Sequence, residues 1–123
     1  MKDKKTRPSI IEAFNAAIQG IIYTFKYERN MKIHYIIAVA VLIISLRFDL
    51  NKFEMMILIL SISLVIISEM FNTAIENTVD LVTDKYHYLA KIAKDVAAGG
   101  VLISALNAVA VGYLIFYDKF TDL

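Results

Sequence analysis

Two uncharged stretches limit what this chain can fold into. Residues 96–117 contain no charged side chain, and as a helix rising ~1.5 Å per residue they cover a hydrocarbon core of ~30 Å. Residues 55–68, MMILILSISLVIIS, are equally free of charge but reach only about 21 Å at the same rise. The chain has 123 residues, 59% of them hydrophobic, and a clearly positive mean hydropathy, well above the apolar content of a soluble domain. The expectation is an all-α integral membrane protein. One proline and four glycines leave little material for linkers, so residues 1–123 should form a single domain.

Ser9-Ile-Ile-Glu12 matches the capping-box pattern, which starts a helix. Beyond it Ile10, Ile11, Phe14, Ile18, Ile21, Ile22 and Phe25 recur at three- and four-residue steps, with Glu12, Asn15, Gln19 and Lys26 opposite. That pattern predicts an amphipathic helix over about 9–27, lying on the membrane surface. Spans are expected at about 31–48, 53–80 and 90–117. Lysine and arginine collect on the cytoplasmic side of a membrane. Lys2, Lys4, Lys5, Arg7, Lys26, Arg29 and Lys32 precede the first span, and Lys85, Lys91 and Lys94 fall between the second and third. Only Arg47 and Lys52 lie in the first hairpin, with Lys119 near the end. The N-terminus and second loop should therefore face the cytoplasm, and the C-terminus should face outward. The basic start runs into an amphipathic segment, so a cleaved signal peptide is not expected.

Several classes of function lose support. There are no cysteines, which excludes a disulfide framework, a thiolate metal site and a cysteine nucleophile. A formal net charge of +1 gives no electrostatic case for nucleic acid. No Walker or GxGxxG pattern occurs, so any phosphoryl transfer must be organised by side chains and metal. His34 and His87 have no ligand-pair spacing and read as interfacial polar residues, and Tyr86 and Tyr88 suit an aromatic belt.

The chemistry concentrates in EMFNTAIENTVD, residues 69–80, at the end of the second span. At ~100° per residue, Glu69, Asn72, Glu76 and Asp80 share an arc of about 80°. Glu69 should sit where apolar chain meets headgroup, with Glu76 and Asp80 nearer water. Such a stripe connects the depth of a lipid hydroxyl with a water-borne reagent. The plainer alternative is a set of solvated carboxylates on an emerging helix end, although an ionisable group embedded in apolar sequence is costly and usually functional. Lys91, Lys94 and Asp95 open the third span and would face the stripe in an antiparallel hairpin, with positive-inside anchoring as the alternative for Lys91 and Lys94. Acids with a lysine suggest Mg²⁺ and phosphate. Glu28 is a possible further ligand or a solvated loop residue. AAGG at 97–100, Ser104 and Asn107 read as small packing positions that let backbones approach, with a polar contact at Asn107 as the alternative.

EMFNTAIENTVD followed by YHYLAKIAKDVAAGGVLI resembles the prokaryotic diacylglycerol kinase family of small integral membrane kinases, over about residues 9–117. The segment FKYERNMKIH is more similar to the Gram-positive branch, which acts mainly on undecaprenol. The resemblance implies a homotrimeric helical bundle, with an N-terminal surface helix and three transmembrane helices per chain. It also implies transfer of the γ-phosphate of MgATP to a lipid alcohol at active sites on the cytoplasmic interface, composed between subunits. By matching motif, Glu69 would be the general base, Glu28 and Glu76 the metal ligands, and Asn72 a polar positioner. Lys94 and Asp95 would belong to the nucleotide site, together with Tyr86 and His87 by motif and Lys85 by position. Asp80 matches the motif with a less defined role. Proteobacterial members carry a basic residue where this chain has Pro8-Ser9, so no contact is carried over there. The competing functions are diacylglycerol phosphorylation by the same chemistry and a non-catalytic subunit or proton or cation transporter.

Overall fold

A computed structural model describes residues 6–122; Lys2, Lys4 and Lys5, counted above toward orientation, lie outside them. Four helices follow one another: α1 (Ile10–Tyr27), α2 (Arg29–Ser45), α3 (Lys52–Val82) and α4 (Tyr88–Thr121). Ser9 caps α1, its Oγ accepting the Glu12 N–H at 3.2 Å. One extended residue, Glu28, separates α1 from α2, and its own N–H still closes on the Thr24 carbonyl. The Glu28 carbonyl in turn accepts the Lys32 N–H at 3.2 Å, so the chain turns at Glu28 with both of that residue's backbone groups paired.

Helix α2 is 17 residues long, about 25 Å. The expected span ran to residue 48, but the helix ends at Ser45. Leu46, Arg47 and Phe48 donate to Ile43, Ile44 and Ser45 in tighter three-residue closures, as helix ends often do. The chain then re-enters helix through a full capping box. The Glu54 N–H donates to Asn51 Oδ1 at 2.8 Å and the Asn51 N–H donates to Glu54 Oε1 at 3.2 Å. Lys119 fastens this corner to the end of α4, with Nζ 3.2 Å from Glu54 Oε1 and 3.0 Å from the Asp49 carbonyl. Phe48 packs edge-on to Phe116 and Phe120.

Helices α3 and α4 form the main antiparallel hairpin, joined across residues 83–87. With 31 and 34 residues, they are the two described helices long and apolar enough to cross a membrane. At about 46 and 51 Å they exceed a ~30 Å hydrocarbon core, so both carry polar turns beyond it. The buried hydrophobic core is thin: Met31, Ala38, Leu58, Val65 and Ile115. Most large apolar side chains face outward, from Ile11 on α1 to Leu114 on α4. A water-soluble fold hides such groups, whereas lipid leaves them no reason to turn inward. Hydroxyls within the helices close on their own backbone, as in Ser45 Oγ to the Leu42 carbonyl at 2.6 Å and Thr73 Oγ1 to the Glu69 carbonyl at 3.0 Å. This satisfies them where water is absent.

A Cβ added at Gly99, Gly100 or Gly112 meets nothing within 4 Å, so within one chain no backbone approaches them. The polar alternative at Asn107 is present: its Nδ2 donates to Ser61 Oγ at 3.4 Å, linking α4 to α3.

Candidate active site

Because α3 outruns the hydrocarbon, its polar stripe starts in packed surroundings and ends in the open. Glu69 is 3% exposed. A carboxylate this enclosed needs a donor, and one reaches it from α2: His34 Nε2 lies 3.2 Å from Glu69 Oε1. One turn on, Asn72 Nδ2 donates to Glu76 Oε1 at 3.4 Å, while Asn72 Oδ1 is buried with no hydrogen-bond partner.

Glu28, half-buried at the α1–α2 turn, completes the group. Burial pushes its carboxyl above the usual range, and the charges of Glu76 and then Glu69 push it further. The turn thus brings a third carboxylate within electrostatic reach of the stripe. Mutual repulsion of this kind is relieved by a cation, and an orphaned amide oxygen beside Glu76 suits a metal or metal-bound water. Among the described residues no three such side chains close into a metal cage. Mg²⁺ commonly uses one or two carboxylates and takes its remaining oxygens from phosphate and water.

The crowding at Glu28 has a measurable consequence. Without divalent cation, Glu28→Gln raises the thermal midpoint in detergent at neutral pH. The folded state binds the Glu28 proton more tightly than the unfolded state, so the repulsion is present above its raised range and vanishes below the ordinary glutamate range. The gain therefore disappears as pH falls through that interval. Thermal unfolding of both proteins at neutral and acid pH measures it, and an equal gain at both would disconnect it from ionisation.

Asp80, farther along, pairs with Lys94 across the hairpin, Nζ to Oδ1 2.7 Å. Asp95 pairs with Lys91 on its own helix at 2.6 Å, both well exposed. Around them is an open polar cleft of about 290 Å³ that gathers Asp80, Lys85, Tyr86, His87, Lys94 and Asp95. His87 also caps α4, its Nδ1 accepting the Leu89 N–H at 3.1 Å. The stripe accordingly divides into an enclosed end around Glu69, Asn72, Glu76 and Glu28 and an open end around Asp80 and Lys94.

His34 belongs to the enclosed end, although its sequence setting suggested only an interfacial residue. It carried the same signal as Glu69, a titratable side chain inside apolar sequence. It also lines a second cavity, about 360 Å³ and almost wholly apolar, between α2, α3 and α4. Val41, Leu58, Val65 and Phe116 are among its walls.

The chain is thus all-helical, with two helices long and apolar enough to cross a membrane, and one of them carries an enclosed carboxylate and, farther along, one wall of a polar cleft. The profile of the prokaryotic diacylglycerol kinase family matches residues 15–116. The chain is 46% identical over 108 residues to the undecaprenol kinase of Bacillus subtilis (strain 168), covering 88% of each protein. It is 44% identical over 106 residues to a diacylglycerol kinase of Synechocystis, covering 85% of this chain and 61% of that protein. With the diacylglycerol kinase of Escherichia coli (strain K12) identity is 29% over 111 residues, 90% and 91% of the two chains. The chain belongs to the prokaryotic diacylglycerol kinase family and is a lipid kinase. Membership removes the non-catalytic alternative.

Proposed function

We propose that this kinase transfers the γ-phosphoryl group of MgATP to the hydroxyl of undecaprenol, with diacylglycerol as the alternative acceptor. The observation that carries this reading is Glu69, an enclosed carboxylate hydrogen-bonded to a histidine that lines an apolar cavity. Its own helix leads onward to a polar cleft. In this reading Glu69 takes the hydroxyl proton as the acceptor oxygen bonds to the γ-phosphorus. The bond from that phosphorus to the β–γ bridging oxygen breaks, and its electron pair leaves with ADP. Glu28 and Glu76 would hold Mg²⁺, which would supply neutralisation of phosphate charge. Asn72 positions Glu76. Lys94, oriented by Asp80, steadies phosphate in the cleft, with Lys85, Tyr86, His87 and Asp95 around the nucleotide.

The higher identity to the Bacillus undecaprenol kinase than to the Escherichia coli diacylglycerol kinase favours undecaprenol, and the Synechocystis relative keeps diacylglycerol as the second reading. The same proposal has α1 on the membrane surface, three spans in α2, α3 and α4, and the site at the cytoplasmic face of the cell membrane. A homotrimer with sites composed between subunits fits the apolar exterior of one chain and the open space beside Gly99 and Gly100.

Phosphorylation from labelled ATP in mixed micelles, with both alcohols at equal surface concentration, tests the assignment. Undecaprenyl phosphate is the expected main product. A main product of phosphatidic acid would change the acceptor and keep the chemistry, and transfer to neither alcohol in the presence of Mg²⁺ would overturn the proposal.

A further inference from the structure

His34 is on α2 and Glu69 on α3, 35 residues apart, so their contact is made by the fold. Among the described residues it is the only hydrogen bond to the Glu69 carboxylate. Two acceptors do not attract one another, so against an ionised carboxylate Nε2 must carry a proton and donate. A donor fixed to Oε1 stops rotation of the carboxylate and leaves Oε2 to meet another group. The same imidazole lines the apolar cavity, whose wall continues along α4 from Ala105 to Phe116, about 16 Å of helix. That is room for a stretch of hydrocarbon chain ending beside the His34–Glu69 pair. The His34 side chain is 22% exposed and that of Glu69 5%, and of the two the imidazole is the one on the cavity wall.

We propose that His34 is the positioning residue of this kinase: through its Nε2–H it holds Glu69 so that the free carboxylate oxygen meets the hydroxyl of a lipid alcohol seated in the α2–α3–α4 cavity. The role rests on Glu69 acting as the base. His34 forms no covalent bond and keeps its proton, because the hydroxyl proton goes to Glu69. Its importance lies in geometry, since a misplacement of ~1 Å at a reacting group costs on the order of 10²-fold in rate.

The geometry specifies which substitution rescues function. A glutamine side chain carries its amide nitrogen about as far from the backbone as imidazole Nε2, whereas asparagine stops near the position of Nδ1. His34→Leu should lower kcat for lipid phosphorylation about 10–100-fold with the KM for MgATP unchanged. His34→Gln should recover to within a few-fold of wild type, and His34→Asn should remain low. In a double-mutant comparison, adding His34→Leu to Glu69→Gln should cause little further loss, because residues acting as a unit are not additive. Helical content and thermal midpoint in detergent identify any variant that has lost its fold, and the glutamine–asparagine contrast does not require the leucine variant to survive. Equal losses in the glutamine and asparagine variants, full activity in His34→Leu, or additive losses in the double variant would each overturn the role. Those results leave wild-type kinase activity in place, whereas absence of lipid phosphorylation in wild type would overturn the functional reading beneath it.

Discussion

Glu69→Gln lowers phosphorylation of the acceptor lipid by about 10²–10⁴-fold, the usual contribution of a general base, while MgATP binding stays near wild type. The substitution preserves shape, and the amide oxygen can still accept from His34 Nε2, so the α2–α3 contact survives. What disappears is the group able to take the proton. Glu69 is 3% exposed, and an enclosed charge costs more than an enclosed amide. The variant should therefore melt at or above the wild-type temperature in detergent, which separates loss of chemistry from loss of fold. Single-turnover phosphoryl transfer and equilibrium nucleotide binding on the same preparation measure the two sides. Near-normal turnover would remove Glu69 from the base role.

The legible part of this protein was the part written in local sequence. Apolar runs, the Ser9 cap and the three- and four-residue rhythm of α1 all act within one or two turns, and the structure places helices there. The end of α2 was harder, because three-residue closures after Ser45 use the same apolar residues as the helix itself. The Asn51–Glu54 box repeats the logic of the Ser9 cap, but it is masked by the apolar run that follows. Asp80 and Lys94 could be brought together from sequence because a short loop joins two antiparallel helices, which fixes their register. His34 could not be paired with Glu69 in that way: the two lie 35 residues apart on helices joined through residues 46–51, and no periodicity encodes how α2 packs on α3. Gly99 and Gly100 show the converse, since small residues indicate that something can come close and not which chain supplies it.

Chelation and a change at Glu76 should produce a failure of a different kind from loss of the base. Excess EDTA is expected to stop phosphorylation completely and added Mg²⁺ to restore it. Glu76→Gln should raise the Mg²⁺ concentration needed for half-maximal rate by at least the ~10–100-fold that even outer-sphere changes cost a metal site. Glu76 is half-buried, accepts from Asn72 Nδ2 at 3.4 Å, and lies close enough to Glu28 to raise that carboxyl's proton affinity. An amide keeps the Asn72 contact but offers a hard cation a neutral oxygen, and with Glu28 and Glu76 as the proposed ligands the change would leave Glu28 to hold the ion with phosphate alone. Because the deficit lies in metal affinity, high Mg²⁺ should recover much of the rate in Glu76→Gln and none of it in Glu69→Gln. Initial rates across a Mg²⁺ titration at fixed ATP separate the two. An unchanged half-saturation in Glu76→Gln would move the metal away from α3, and rescue of Glu69→Gln by Mg²⁺ would make Glu69 a ligand in place of a base.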